Sequence, residues 1–328
     1  MPVPILKLPF LALKVVIACG EDSELLAISL GSRRADRAVK ACGRTPSFLD
    51  YEFRRENCFT NSDNFTLNIH CISEIDQYKG SKKYLMIDGT CVPTIFSDNQ
   101  VCTFWNERVN GLQFFVKYFG TKFFIDRSFW NFDSAVPDFR RLMHYLISMQ
   151  NYSIEDSTRV RKISVDRNAK LSHSDYSYLL STVTADLDSD METSDDFKFT
   201  GKLLTGHWLK LTSAHWFTLE HLLKCKCQYV QVEGSKLSNK QFKVFIRRWM
   251  TGRLSHFIQI ELLELTEQEQ EVDLDFILRG IKAKLWIGRA SYSRGHRPPP
   301  RKIIKAKTGP EARIQGSGNQ FRLNWHRS

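Results

Sequence analysis

Two stretches of this chain repeat one design. ISVDRNAKLSHSDYSYLL (163–180) and VQVEGSKLSNKQFKVFI (230–246) each pass from a short apolar strand through a Lys-Leu-Ser turn into a capped amphipathic helix. Leu171 and Leu237 correspond, 66 residues apart. A strand–turn–helix unit that recurs implies parallel strands, because each strand must be re-entered from the same end after a helical crossover. HWLKLT (207–212), YVQVEG (229–234) and SHFIQIELLE (255–264) start 22 and 26 residues apart, within the range of leucine-rich repeats, though the strict leucine pattern is absent. The caps can be read directly. Ser172 and Ser238 each stand three residues before Asp175 and Gln241, so each side chain can accept the N–H of the residue three on. Tyr176, Leu179 and Leu180 make one helix apolar; Phe242, Phe245, Ile246 and Trp249 make the other, and Gly252 ends it.

The rest of the chain departs from this pattern on both sides. Residues 8–41 read as three short helices. Pro9 suits a first helical position. Phe10, Leu13, Val16 and Ile17 form one apolar face, Leu25, Leu26, Ile28 and Leu30 a second behind an Asp22 or Ser23 cap, and Ala35, Ala38 and Val39 a third. About 35 residues are too few for an independent core, so this piece needs a partner or the remaining chain. Residues 43–64 read as loop and 65–132 as strands, with GLQFFVKYF (111–119) and KFFID (122–126) among them. Pro137 is expected to open a helix carrying Phe139, Leu142, Met143, Leu146 and Ile147. Residues 186–196 hold six acids and no base and read as a solvated loop. ARIQ and QFRLNW suggest a terminal hairpin around Gly316-Ser317-Gly318. The fold expected is mixed α+β and α/β: a small helical start, a β-rich segment, then leucine-rich-repeat-like βα units with parallel strands and flanking helices. The divisions expected are 1–42, 43–160, 161–290 and 291–328.

Charge and cysteines narrow the function. The formal net charge is +11, yet residues 279–328 alone carry +12 and the rest −1. Arg289, Arg294, Arg297, Arg301, Lys302, Lys305 and Lys307 could contact phosphates with Tyr292 stacking on a base, but no nucleic-acid fold motif accompanies them. A basic, solvated terminal segment is the favoured reading, with nucleic-acid binding as the rival. Lys7 and Lys14, with Pro4 and Pro9, break the apolar start, so it makes no secretory signal, and no apolar run is long enough for a membrane span. The expectation is a cytoplasmic or nuclear protein, with no membrane partner, whose eight cysteines are mostly buried thiols. His221, Cys225 and Cys227 lie close together without a second ligand pair at zinc spacing, so no metal and no cofactor is expected. His207, His215 and His221 flank Trp208 and Trp216 in apolar surroundings and read as structural. Phosphate loops, nucleophile elbows and zinc helices are missing, and no catalytic residue is nominated.

One resemblance gives these parts a common sense. LPFLALKVVIACGEDSELLAISLGSRRADRAVK (8–40) resembles an F-box of the short type found in the nematode-expanded group of F-box proteins. Leu8, Pro9, Leu11, Leu13, Leu25, Leu26, Ser29, Leu30, Ser32 and Arg33 carry the likeness. Residues 211–264 resemble the type-2 F-box-associated domain of that group through Leu222-Leu223, the Lys236-Leu237-Ser238-Asn239 turn, Phe245, Trp249 and Gly252. KTGPEARIQGSGNQFRLNW (307–325) is similar to the group's closing segment. The resemblance implies a non-catalytic subunit of a cullin–RING ubiquitin ligase. Leu8, Pro9, Leu11, Leu13, Leu25, Leu26, Leu30, Ser32 and Arg33 would dock on a Skp-type adaptor, and the C-terminal domain would hold a protein substrate. The alternative is a protein-interaction module uncoupled from the ligase. The chain departs from the pattern at Val15, where an acid is usual, and at Gly20 and Gly31. Gly20 falls at the end of the first helix and Gly31 stands in place of a customary cysteine; a glycine within a helix costs ~1 kcal/mol against alanine, so a weakened F-box is expected.

Overall fold

The computed structural model describes the chain except residues 1–6, 21, 42–47, 54–57, 63–64, 88, 98–99, 123–126, 137, 153–159, 255, 264, 266–270, 286–300, 306–310 and 326–328. The chain divides into two compact units, Met1–Ile163 and Ser164–Ser328.

The first unit opens with three helices, α1 (Phe10–Cys19), α2 (Asp22–Gly31) and α3 (Arg33–Ala41). Leu13, Ile17, Leu25 and Val39 form their shared core, with Leu8, Ile28 and Ala38 packed against it. Pro9 sits one residue before the helix proper, and its carbonyl accepts the Leu13 N–H at 2.9 Å. The expected glycine penalties do not arise as an interior cost. Gly20 lies beyond α1 in extended backbone, where its N–H bonds the Val16 and Ile17 carbonyls, and Gly31 is the last residue of α2 with open space around it.

A mixed sheet follows, built from β1 (Phe48–Phe53), β2 (Cys58–Ser62), β3 (Phe65–Cys71), β4 (Lys82–Ile87), β5 (Thr90–Ser97), β6 (Gln100–Trp105) and β7 (Arg127–Phe132) in the order β7-β1-β2-β3-β6-β5-β4. β1 runs parallel to β7 and β3 parallel to β6; the other pairings are antiparallel. Two expectations are corrected here. Residues 48–53 and 58–62, read as loop, are strands paired with each other. GLQFFVKYF, read as a strand, lies in helix α4 (Arg108–Lys122). The run satisfies both periods, since Leu112, Phe114, Val116 and Tyr118 alternate while Leu112, Phe115, Val116 and Phe119 repeat helically. The helical set is buried in the structure, against β3 and β6. Gly111 permits that approach: a Cβ there would stand 2.6 Å from the Trp105 ring and 2.7 Å from Ile69. Helix α5 (Phe139–Tyr152) forms as expected and packs on α4; Pro137 and most of KFFID lie outside the described residues.

β8 (Val160–Val165) leads into the second unit, where β9 (Asp186–Ser189), β10 (Trp208–Leu211), β11 (Tyr229–Glu233) and β12 (Gln259–Leu263) run parallel and adjacent. The acidic stretch read as a solvated loop therefore begins with a sheet strand. Its alternation decides this: Leu187 and Ser189 are buried while Asp186, Asp188 and Asp190 are only partly covered. Helices α6 (His173–Thr182), α7 (Leu219–Lys224), α8 (Asn239–Met250) and α9 (Leu274–Leu278) accompany the strands. Both predicted caps form. Ser172 Oγ accepts the Asp175 N–H at 3.1 Å, and Ser238 Oγ accepts the Gln241 N–H at 3.4 Å while Gln241 Oε1 accepts the Ser238 N–H at 2.8 Å. Gly252 follows α8 with φ 81°, its N–H on the Trp249 carbonyl.

The terminal hairpin also forms, as β15 (Glu311–Ser317) and β16 (Gln320–Trp325), and β16 pairs antiparallel with β12. β14 (Arg301–Lys305) and β13 (Ala283–Leu285) continue the same sheet outward. Phe242 of α8 stacks on Phe321 of β16 at 4.7 Å and 6° between ring planes, binding this C-terminal addition to the repeat-like units.

Candidate functional site

Consecutive parallel strands laid side by side in one direction require crossovers on one face, because each is right-handed. The burial pattern agrees. Leu209, Leu211, Val230, Val232, Ile260 and Leu262 are buried on the helix side, while Lys210, Tyr229, Gln231, Glu233, Gln259 and Glu261 stay partly open on the other. The strand registers line these open residues into rows across the sheet. Trp208, Tyr229, Gln259 and Asn324 form one row; Asp188, Lys210, Gln231, Glu261 and Arg322 form the next. The second row is knit by charge and amide contacts: Lys210 Nζ is 3.2 Å from Asp188 and 3.2 Å from Asp190, Gln231 donates to Glu233 at 3.0 Å, and Arg322 Nε is 3.8 Å from Glu261.

At the C-terminal ends of β9, β10 and β11 this face deepens into a polar cleft of about 740 Å³. Asp190, Glu192, Asp195, Lys210, His215 and Glu233 are among its lining residues. Crevices at the carboxyl ends of parallel strands are where open α/β sheets bind ligands. The loops that shape it are tied sideways by backbone bonds: Asp190 N to Val165 O at 2.8 Å, Thr212 N to Ser189 O at 2.9 Å, Ala214 N to Glu233 O at 2.9 Å and Gly234 N to Leu263 O at 3.0 Å. Ser213 and Gly234 turn there with φ 50° and 74°. His215 Nε2 is buried without a hydrogen-bond partner. At the opposite end of the strands Asp186 is engaged structurally, its Oδ1 accepting the His207 and Trp208 N–H groups at 2.7 and 2.9 Å.

The nominated adaptor-docking residues divide sharply. Leu13, Leu25 and Leu26 are buried, the first two within the core of the three helices. Leu8 and Leu30 are half-buried and Pro9 is exposed. Ser32 caps α3, its Oγ accepting the Ala35 N–H at 3.1 Å, and the backbone of Arg33 begins that helix. Leu11 is the strongly exposed leucine, at 76%. The sequence reading missed the residues beside it. Val15 is 63% exposed, Phe10 54% and Val16 42%, so α1 turns an apolar stripe outward. Helical periodicity put Phe10 and Val16 on one apolar face with Leu13 and Ile17; in the structure only Leu13 and Ile17 join Leu25 of α2 and Val39 of α3 in the core.

The other sequence candidates resolve as structural groups. His221 is buried and its Nδ1 accepts the Thr218 N–H at 3.1 Å, closing a cap on α7; burial pushes its pKa down. Cys225 is the residue ending α7, and it is buried with Cys227. The expectation of mostly buried thiols is only half met, since Cys102, Cys225 and Cys227 are buried but Cys19 and Cys91 are exposed. Among the described residues no group of histidines, cysteines and carboxylates is arranged to hold a metal ion, and no helix is long and apolar enough to cross a membrane. Of the basic tail, Arg289, Arg294, Arg297, Tyr292 and Lys307 lie outside the described residues; Lys302 on β14 pairs with Asp275.

Comparison with known proteins places part of this arrangement. Residues 202–262, from the approach to β10 through β12, match the F-box associated family. Over nearly its whole length the chain is similar to the Skn-1 dependent zygotic transcript 15 protein of Caenorhabditis elegans, 23% identical over 339 residues that cover 96% of this chain and 94% of that protein. No solved structure matches the chain. The chain is thus similar to a nematode protein and carries an F-box associated segment at 202–262, the segment that supplies β10, β11 and part of the cleft wall.

Proposed function

We propose that the chain is the substrate-recognition subunit of a cullin–RING ubiquitin ligase. In this reading α1–α3 dock on a Skp-type adaptor, the open face of the second unit holds a protein substrate, and the chain supplies no catalytic residue of its own. The cytoplasm and nucleus, where such ligases work, are the compartments it implies. What carries the reading is the order of parts: helices with an F-box-like sequence at 10–41 stand upstream of the F-box associated segment at 202–262. The exposed apolar stripe of α1 supports it, because apolar anchors at an interface core carry most of the binding energy between proteins.

Co-purification of the full chain with the adaptor tests the reading. Leu11→Asp with Val15→Asp is expected to remove the adaptor while leaving the melting temperature in place, since both side chains are exposed. Retention of the adaptor by that double variant rejects α1 as the docking helix. Absence of the adaptor from the unaltered chain favours an interaction module uncoupled from the ligase.

A further inference from the structure

The first unit's sheet ends at β4, which pairs with β5 alone; among the described residues no strand lies beyond it. The register shows which backbone groups face outward. Pro93 lies opposite Tyr84, and the β5–β6 ladder stops at Thr94, one residue short of Pro93, so the absent proline N–H falls on the β6 side. Tyr84 and Pro93 are therefore a pair that exchanges no hydrogen bonds, and antiparallel alternation gives Lys82 and Met86 the same standing. The N–H and C=O groups of Lys82, Tyr84 and Met86 point away from β5. The side chains of these three residues share a face with Ile95 and Cys102, where Ile75 and Tyr78 pack. Tyr84 and Met86 carry that face out to the edge, each 66% exposed. Helix α2 does not close the edge. It touches β3 as well as β4, and its Ser29 is bonded to Tyr118 of α4, so it crosses the opposite face, where Ile87 is buried. Residues 79–87 hold three lysines and no carboxylate. Asp76 pairs with Lys82 at 3.0 Å, while Lys79 and Lys83 are exposed at the same end of the strand.

We propose that this edge receives an extended segment of another protein as a further strand, with apolar side chains against Tyr84 and Met86 and carboxylates at the end that meets Lys79 and Lys83. Main-chain bonds give such an added strand its affinity, and alternate side chains give it specificity. The charge selects this occupant over a second copy of the chain. Self-pairing would gather the lysines of both copies on one ribbon, which is how edge lysines discourage it, whereas an acidic segment turns the same charges to attraction. The surface is distinct from the α1 stripe and from the second unit's open face, and the proposal does not rest on the ligase reading.

The test uses the full chain and fluorescence anisotropy with a labelled peptide that alternates valine and threonine and carries glutamates at both ends. One comparison peptide ends in lysines instead; another keeps the glutamates but has its central backbone nitrogens methylated. The glutamate peptide is expected to bind roughly tenfold more tightly than either. Amide hydrogen exchange should slow at Lys82, Tyr84 and Met86 when it binds. Tyr84→Thr with Met86→Thr should weaken binding severalfold at an unchanged melting temperature, since both side chains are exposed and threonine suits a strand. Lys79→Glu with Lys83→Glu should reverse the preference between the glutamate and lysine peptides. Absence of binding, equal binding of the methylated peptide, or binding that leaves those three amides unprotected overturns strand addition at β4. Equal binding of the glutamate and lysine peptides overturns the acidic class. Protection of the same amides in the chain alone, rising with its concentration, makes a second copy the occupant and overturns the proposal as stated.

Discussion

The Tyr118 hydroxyl donates to Ser29 Oγ at 2.7 Å, joining α4 to α2 across 89 positions of sequence. Asp36 Oδ1 lies 3.3 Å from the same hydroxyl, and Ser29 Oγ donates in turn to the Leu26 carbonyl at 2.9 Å. The three N-terminal helices are therefore anchored to the first unit, and α2 also packs on β3 and β4. This answers what completes a helical piece too small for its own core: the rest of the chain covers one side, and the exposed stripe of α1 is left over.

Tyr118→Phe removes the buried hydrogen bond to Ser29 and the longer one to Asp36 without opening a cavity. Ser29 keeps its bond to Leu26. The expected loss is about 1 kcal/mol, read as a lower urea midpoint with an unchanged slope. An unchanged midpoint would mean that the Tyr118–Ser29 contact does not contribute to stability.

Leu26 and Val15 separate core from surface within the same F-box-like stretch. Leu26 is 2% exposed, so Leu26→Ala should cost roughly 2–5 kcal/mol, whereas Val15→Asp should stay within about 0.5 kcal/mol. Thermal denaturation of the two variants checks the contrast. Loss of adaptor binding in Leu26→Ala would then report unfolding, and only the exposed-face variants report docking.

Gly111→Ala tests the packing of α4. Alanine is normally favoured over glycine in a helix by about 1 kcal/mol, but its Cβ would enter the Trp105 ring and Ile69. Overpacking of this kind costs typically 1–3 kcal/mol, so the substitution should destabilise. Calorimetry showing a stabilised variant would contradict the close approach.

Buried histidines set the pH dependence. His70 is 1% exposed, ringed by Phe104 and Tyr78, and burial holds its pKa below the usual 6.5 despite Glu74 at 3.4 Å; burial likewise lowers His221 and His256. The folded state then binds fewer protons than the unfolded state as pH falls through about 6.5. Stability is full above that pH and declines below it, by at most about 1.4 kcal/mol per pH unit for each proton taken up on unfolding. Denaturant midpoints should fall between pH 7.5 and 5, and His70→Phe should flatten the slope. A steeper slope in that variant would contradict the assignment.

Local chemistry was legible in the sequence. Ser172, Ser238 and Gly252 act through atoms three or four residues away, so the helix starts at 173 and 239 and the stop after Met250 could be read from residue type alone. The parallel strands at 208 and 229 were equally plain, because strand, turn and helix recur in a fixed order. Tertiary structure decided what the local pattern left balanced. GLQFFVKYF satisfies a period of two and of 3.6, and packing against β3 and β6 chose the helix. The stretch from Asp186 to Ser189 looked too acidic for a strand until Leu187 and Ser189 met the buried side of β10's neighbourhood, with Asp188 compensated by Lys210. The same holds for the sites. The sequence named the leucines of the first helices, but which of them are core and which face outward depends on where α2, α3 and α4 lie. The acids and aromatics of β9, β10 and β11 become one surface only through the register of strands some twenty residues apart in the chain, a relation that residue type does not encode.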